Sequence, residues 1–430
     1  MTISSLTPPA ATLPEAPRTE SRKAWGILAI LTLVYSFSWM DRFLLIISLD
    51  PISRDLHVSN TEIGLLTGFG ASLLYSLAGF PIARLADRNS RIGVISTALA
   101  AWSTLTAAIG LVASFVTLAA CRFGIAIASA GCSPAVYSLI ADIFPARRRG
   151  TAIAIYSLGI SIGTWAGLTL GGYAADSLGW RRAFVVLGLP GFCLAAILFF
   201  LVREPSRGTL EDVAGEDQRN YSLGEAVRYV MGQPAFAAIV IGFGLVSLAT
   251  SAFENWVPTY LIRAYGLSAT EVGSVSGLAQ GFTAIVGALI FGILSDRLAR
   301  RNSSWYIWVP LICTVAATPL IVLFFIVSKS AAYVCYFLIE FCISGYSAPL
   351  FAASQMLLPP RLRAVGMATV LFMLNVLGTG LGTFLTGWAS DLIGGAGPAG
   401  GLSVAIIAMQ VLGLLGMAAL AYAARVFRPS

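Results

Sequence analysis

The chain has 430 residues, of which 57% are hydrophobic and 11% charged, with a formal net charge of +7. That composition excludes an ordinary soluble domain and fits an integral membrane protein. The positive balance is read as topology and contact with anionic headgroups, and no nucleic-acid surface is expected from it.

Residues 1–22, with Pro8, Pro9, Pro14 and Pro17, are expected to form a disordered cytoplasmic tail. They do not suit a signal peptide, because the apolar core after Arg22 and Lys23 is too long and lacks a small-residue cleavage site. A window of about 19 residues then finds twelve apolar helices, near 25–46, 63–83, 92–114, 115–140, 151–174, 182–202, 235–258, 271–295, 304–327, 331–355, 364–388 and 400–424. Most reach the roughly 20 residues that cross a hydrocarbon core of about 30 Å. The predicted fold is therefore all-α, with six spans over 23–202, a cytoplasmic linker over 203–234 and six more spans over 235–430. Within the linker, Tyr221 to Met231 carries Val227 and Val230 at the spacing of a short amphipathic helix. With the N-terminus inside, 20 of the 27 Lys and Arg residues are cytoplasmic and five (Arg54, Arg181, Arg182, Arg263, Lys329) are outside. The remaining two, Arg42 and Arg122, fall in spans. This asymmetry predicts an inner (plasma) membrane protein with both termini cytoplasmic.

Charges inside the spans are the first functional clue. Asp41 and Arg42 sit side by side in the first span, where each should cost several kcal/mol at mid-bilayer unless it lines a cavity or pathway. By helical rise, Asp41 and Arg122 both lie roughly 8 to 10 Å below the outer ends of spans one and four. Residue 129, a serine, is two turns further along the same face as Arg122 and about 10 Å deeper. Glu340 in span ten is nearer the midplane, suited to lining a cavity or to a structural pairing. Glu254, near the outer end of span seven and followed by Asn255, Trp256 and Tyr260, suits an outer-rim anchor or a gate.

Other chemistry is not supported. The six cysteines all fall in spans without a CxxC pair and read as apolar fillers. The single histidine, His57, is a solvated loop residue with no His or Cys nearby. No phosphate loop, metal cluster or Ser-His-Asp set is present, so neither an enzyme nor a bound cofactor is expected.

Two stretches repeat at the same offset in each half. Ala83-Arg84-Leu85-Ala86-Asp87-Arg88-Asn89-Ser90-Arg91 follows span two, and Gly292-Ile293-Leu294-Ser295-Asp296-Arg297-Leu298-Ala299-Arg300-Arg301 follows span eight. Both are similar to the GxxxDRxGRR signature of the major facilitator superfamily, although Ala83 and Ser90 replace the usual glycines of the first copy. The resemblance implies two pseudo-symmetric six-helix bundles that rock about a central site. Acidic and basic residues at helix ends can cross-link the cytoplasmic side in one conformation. Asp87, Arg88, Arg91, Asp142, Glu204, Asp296 and Arg297 are assigned to such a cytoplasmic gate. Gly159, Gly163, Gly167, Gly171 and Gly172 in span five, and Gly378, Gly380, Gly382 and Gly387 in span eleven, read as close-packing faces. Leu168 stands where an antiporter signature would place proline.

Within the superfamily, Asp41-Arg42, Gly64-Leu65-Leu66, Arg122, Ile140-Ala141-Asp142-Ile143-Phe144, Gly179-Trp180-Arg181 and Arg203-Glu204-Pro205-Ser206-Arg207-Gly208 resemble the Spinster family of lipid transporters. That family carries a glutamate seven residues after the span-four arginine, where this chain has Ser129. The resemblance implies a secondary transporter, expected to be monomeric, that moves an amphipathic anionic lipid such as a lysophospholipid or sphingoid phosphate, with a proton gradient as its drive. In this reading Asp41 is the proton-responsive acid, and Arg42 and Arg122 alternate as its partner or hold an anionic headgroup. Ser129 takes the place of the second acid and Glu340 lines the opposite wall. A fixed ion pair that sets helix register is the alternative for Asp41 and Arg122. The alternatives for the whole chain are a proton-coupled organic-anion symporter or drug exporter, and a non-transporting receptor or scaffold.

Overall fold

The computed structural model describes residues 18–202, 204, 223–359, 362–395 and 399–427. Within them, twelve helices are long and apolar enough to cross a membrane: Arg22–Ile47, Asn60–Ala86, Arg91–Ile109, Phe115–Ile143, Arg147–Leu178 and Trp180–Leu201, then Pro234–Tyr265, Ala269–Ala299, Trp305–Phe324, Lys329–Met356, Val365–Ile393 and Leu402–Val426. These are spans 1 to 12 below. An even number of crossings among the described residues places Arg22 and Val426 on one side, called here the termini face, opposite the far face. The first helix already begins at Arg18, inside the stretch expected to be a tail. The rest of that tail and linker residues 205–222 lie outside the described residues.

Local chemistry sets the span ends. Ser59, Ser114 and Ser268 cap spans 2, 4 and 8, each accepting the backbone N–H three residues on. Pro234 opens span 7, where a missing N–H is harmless. Gly179 (φ 82°) and Gly266 (φ 63°) close spans 5 and 7 in backbone conformations that a side chain would strain. Span 7 is the element that departs most from expectation. The helix continues through Pro258 to Tyr265, because packing on its neighbours supports the turn that proline leaves unbonded. The linker helix forms at Leu223–Met231, burying Ala226 and Val230 against the termini-face end of the second half.

The glycines of span 5 do what their spacing implied. A Cβ at Gly159 would lie 2.9 Å from the Thr32 carbonyl oxygen, and at Gly163 and Gly167 it would run into those of Ser36 and Met40. Spans 1 and 5 therefore lie backbone to backbone, which rigidly places the span-1 residues between them. One hydrophobic cluster runs from Ile47, Ile52 and Leu168 in the first half into Trp256, Tyr260 and Val272 in the second, towards the far face. A second, built on Phe236, Phe243, Leu350 and Leu420, belongs to the second half alone and lies towards the termini face. The two halves are thus sealed to one another on the far side.

Candidate substrate and proton site

Asp41 is 4% exposed on span 1. Its Oδ2 accepts a hydrogen bond from the Thr106 hydroxyl of span 3 at 3.0 Å, while Oδ1 is buried with no hydrogen-bond partner. Arg122 of span 4 is 8% exposed, and its Nε is likewise buried without a partner. The two lie within electrostatic reach of each other, as do Arg122 and Arg42. Among the described residues, however, no ion pair closes between Asp41 and either arginine. The sequence-expected trio is brought together in space but left unlocked.

Arg42 turns the other way. Its guanidinium stands over the Trp39 ring, 5.3 Å from the centroid, and the charges that act on it are Glu254 of span 7 and the phenols Tyr75 and Tyr35. Tyr35 stacks on Tyr156 at 4.4 Å, and Tyr137 meets Tyr156 edge-on at 5.7 Å. Spans 1, 2, 4 and 5 thereby supply a cluster of hydroxyl-bearing rings beside a partly buried cation. Such a surface can hold an anionic group and stack or hydrogen-bond the apolar body next to it.

Ser129 does not join this group. Its hydroxyl donates back to the carbonyls of Ile125 (2.9 Å) and Ala126 (3.3 Å) on its own helix, which breaks just beyond it at Ala130 and Gly131. Glu340 is 2% exposed in span 10, with Oε1 buried and without a partner, and Glu254 is the other acid whose charge it meets. Gln280 bridges this wall by donating to the Tyr336 hydroxyl (2.8 Å) and the Glu254 carbonyl (3.0 Å). Near it, the Thr250 and Tyr346 hydroxyls lie 3.3 Å apart. Gln280 sits in one of the three π-helical segments among the described residues, Leu65–Phe69, Leu278–Thr283 and Leu374–Leu381, in spans 2, 8 and 11, a distortion that often accompanies function.

Glu254 and the tyrosines are what sequence reasoning missed. Ending span 7 at Pro258 placed Glu254 at the rim, whereas the eleven helical steps from it to Tyr265 set it about 16 Å below the far end. The tyrosines carried a usable signal, since rings with hydroxyls far from a membrane interface need a reason to be there.

At the termini face, Arg91 is buried and gathers two of the acids assigned to the gate, Asp142 and Glu204. Its Nε donates to Glu204 Oε1 (2.8 Å) and its Nη1 to Asp142 Oδ2 (2.5 Å) and to the Ser138 hydroxyl (2.8 Å). Glu204 also accepts from the Ile92 amide (2.9 Å) and the Ser90 hydroxyl (2.8 Å), capping the start of span 3. Burial pushes the Glu204 carboxyl up, but the Ile92 amide, Arg91 and Ser90 outweigh it and hold the carboxyl below the ordinary glutamate range. In the second half, Asp296 accepts from the Tyr306 hydroxyl (2.9 Å), and Arg88 and Arg297 are exposed. The Asp87 side chain lies outside the described residues. Among the described residues, the ion pairs of this face stay within the first half.

This arrangement of twelve spans around an ionisable centre has a match in a family model. Residues 31–383 match that of the Major Facilitator Superfamily. The chain belongs to the major facilitator superfamily. Within the superfamily it is similar to an MFS-type efflux pump of Mycolicibacterium smegmatis, 34% identical over 409 residues that cover 93% of each chain. It is also similar to the sphingosine-1-phosphate transporter SPNS2 of Danio rerio, 27% identical over 390 residues that cover 84% of this chain and 75% of that one. Among solved structures it resembles a bacterial homologue of the human lysosomal transporter Spinster in an inward-facing, unoccupied conformation. The TM-score is 0.86 at 27% identity, covering 96% of this chain and 98% of the other. Like these relatives it is a multi-pass membrane transporter, not an enzyme, and the likeness to Spinster proteins read from its first half extends over nearly the whole chain.

Proposed function

We propose that this transporter moves an amphipathic anionic lipid, of the lysophospholipid or sphingoid-phosphate type, by alternating access driven by the proton gradient. In this reading it works as a monomer in the inner (plasma) membrane with the termini face cytoplasmic, as the excess of Lys and Arg on that side supports. The far face is then the outer one, and the sealed far side excludes an outward-open conformation.

The observation that carries the proposal is the half-satisfied carboxyl of Asp41. A buried carboxyl held by one hydroxyl, with its other oxygen bare and an arginine nearby but unpaired, is suited to exchange a proton as the halves move. When Asp41 is ionised, Arg122 is its available partner. When it takes a proton at Oδ1, Arg122 is released to an incoming anion. Glu254 of the other half acts on Arg42 through its charge, so a substrate phosphate competes with Glu254 rather than meeting an uncompensated cation. Tyr35, Tyr75, Tyr137 and Tyr156 receive the part of the lipid next to its headgroup. Sphingosine-1-phosphate, the substrate of the Danio rerio relative, supports the lipid class.

Uptake of a labelled lysophospholipid and of a labelled small organic acid into proteoliposomes tests the substrate. Saturable lysolipid flux is expected, and transport of the acid alone would contradict the proposal. A drug-exporter reading is favoured by the Mycolicibacterium relative. Its signature in the same vesicles is movement of a hydrophobic dye without lysolipid flux.

A further inference from the structure

Two short motifs recur in the chain, once at each junction between the halves. Ser59-Asn60-Thr61-Glu62-Ile63-Gly64 opens span 2 and Ser268-Ala269-Thr270-Glu271-Val272-Gly273 opens span 8. Gly172-Tyr173-Ala174-Ala175-Asp176 lies at the end of span 5 and Gly387-Trp388-Ala389-Ser390-Asp391 at the end of span 11. The fold joins them crosswise at the far face. Asp391 of the second half accepts the amides of Asn60 (3.3 Å) and Thr61 (2.7 Å) and the Thr61 hydroxyl (2.6 Å). Asp176 of the first half accepts the amides of Ala269 (3.2 Å) and Thr270 (2.7 Å) and the Thr270 hydroxyl (2.6 Å).

These bonds complete the start of each helix. Ser59 and Ser268 already take the amides of Glu62 and Glu271, so the two amides before each of those depend on an aspartate from the other half. The carboxylate also sits at the positive end of the helix dipole. The motif glycines make the approach possible. A Cβ at Gly387 would strike the Asn60 carbonyl, and one at Gly172 the Ala269 carbonyl.

We infer that Asp176 and Asp391 are a paired latch that holds the far side closed, and that its two halves are unequal, the seam between spans 5 and 8 parting before the seam between spans 2 and 11. The inequality comes from two additions to the latter seam: the Asn60 side-chain amide donates to the Ser390 hydroxyl (3.2 Å), and Arg263 reaches in from span 7. Arg263 joins Asp50 (2.8 Å) and the Asn60 side-chain oxygen (2.9 Å), where the other seam has Ala269 in place of Asn60. Because both aspartates are exposed, water can take over each set of bonds as the seam opens. The latch is therefore releasable, and it biases the population of closed and open forms without blocking exchange.

Pulsed electron resonance on the full chain tests this without any substrate, so the outcome is independent of the lipid and proton proposals. Spin labels go on Leu111→Cys and Ile326→Cys, exposed far-face loop residues of the two halves, in a cysteine-free background. Asp176→Ala should raise the ratio of long to short distances on the order of tenfold, as loss of a charge-assisted set of bonds implies. Asp391→Ala should raise it less, because Arg263 and the Asn60–Ser390 bond still hold that seam, and adding Arg263→Ala to it should raise the ratio further. Thr61→Val and Thr270→Val remove one hydroxyl donor each and should shift the ratio the same way by a smaller factor. They decide the matter if an alanine variant does not fold. Distance distributions unchanged in the threonine variants and in every aspartate variant that folds would overturn the latch. A larger effect from Asp391→Ala than from Asp176→Ala would overturn its inequality.

Discussion

Asp41, Thr106 and Arg122 form the smallest unit on which the account depends. Among the described residues Thr106 is the single donor to the Asp41 carboxyl, so Thr106→Val leaves both oxygens bare in a dry place, at a cost of about 1 to 3 kcal/mol for the charged form. The pH at which transport is half-maximal should then move by about one unit or more, as pH-stepped flux in proteoliposomes reads, and an unmoved profile would show that Asp41 does not titrate in the cycle. Ser129→Glu should steepen that pH dependence by adding a second acid two turns from Arg122. An unchanged profile would count against any coupling role for this position. Glu254→Gln should strengthen binding of an anionic lipid, since it removes the charge that competes for Arg42, and a substrate-binding titration measures it. The Asp-Arg pair and Arg122 were legible in the sequence because a charge in an apolar helix is conspicuous. That Arg42 faces Glu254 was not, because it depends on how two helices distant in sequence meet.

At the scale of elements, apolar length made all twelve spans legible, and the repeated glycines of span 5 announced a close crossing. Gly163→Val should be strongly destabilising, since its side chain would have to displace the span-1 backbone at Ser36. Overpacking of this kind costs about 1 to 3 kcal/mol, and thermal unfolding in detergent would register it. The π-helical segments of spans 2, 8 and 11 and the passage of span 7 through Pro258 left no mark in the pattern, because neighbouring helices stabilise both. The Arg91, Asp142 and Glu204 cluster is legible in part, the residues being named by their motifs and their partners by the fold alone. Its pH dependence has a definite sign. The Glu204 carboxyl is held below its ordinary range, so its contribution is present above that range and fades as pH falls through the lowered value. Glu204→Gln should thus lower the melting temperature near neutral pH, and the gap to the unmodified protein should shrink in acid. A gap that stayed constant with pH would remove Glu204 from the charge network.

For the whole molecule, the closed far side and the separate ion pairs of the termini face describe one state of a two-state machine. Sequence repeats revealed the two halves. They did not reveal which side is sealed, because that is a property of contacts between the halves. With Ser129 bonded to its own helix, Asp41 is the acid on which the proposed proton coupling of the first half rests. The decisive measurement is lysophospholipid flux in proteoliposomes under an imposed pH gradient, comparing the unmodified chain with Asp41→Asn. The account predicts that the gradient accelerates flux in the unmodified chain and has no effect in the variant, which still exchanges lipid down its own gradient. Equal acceleration in both, or none in either, would contradict it.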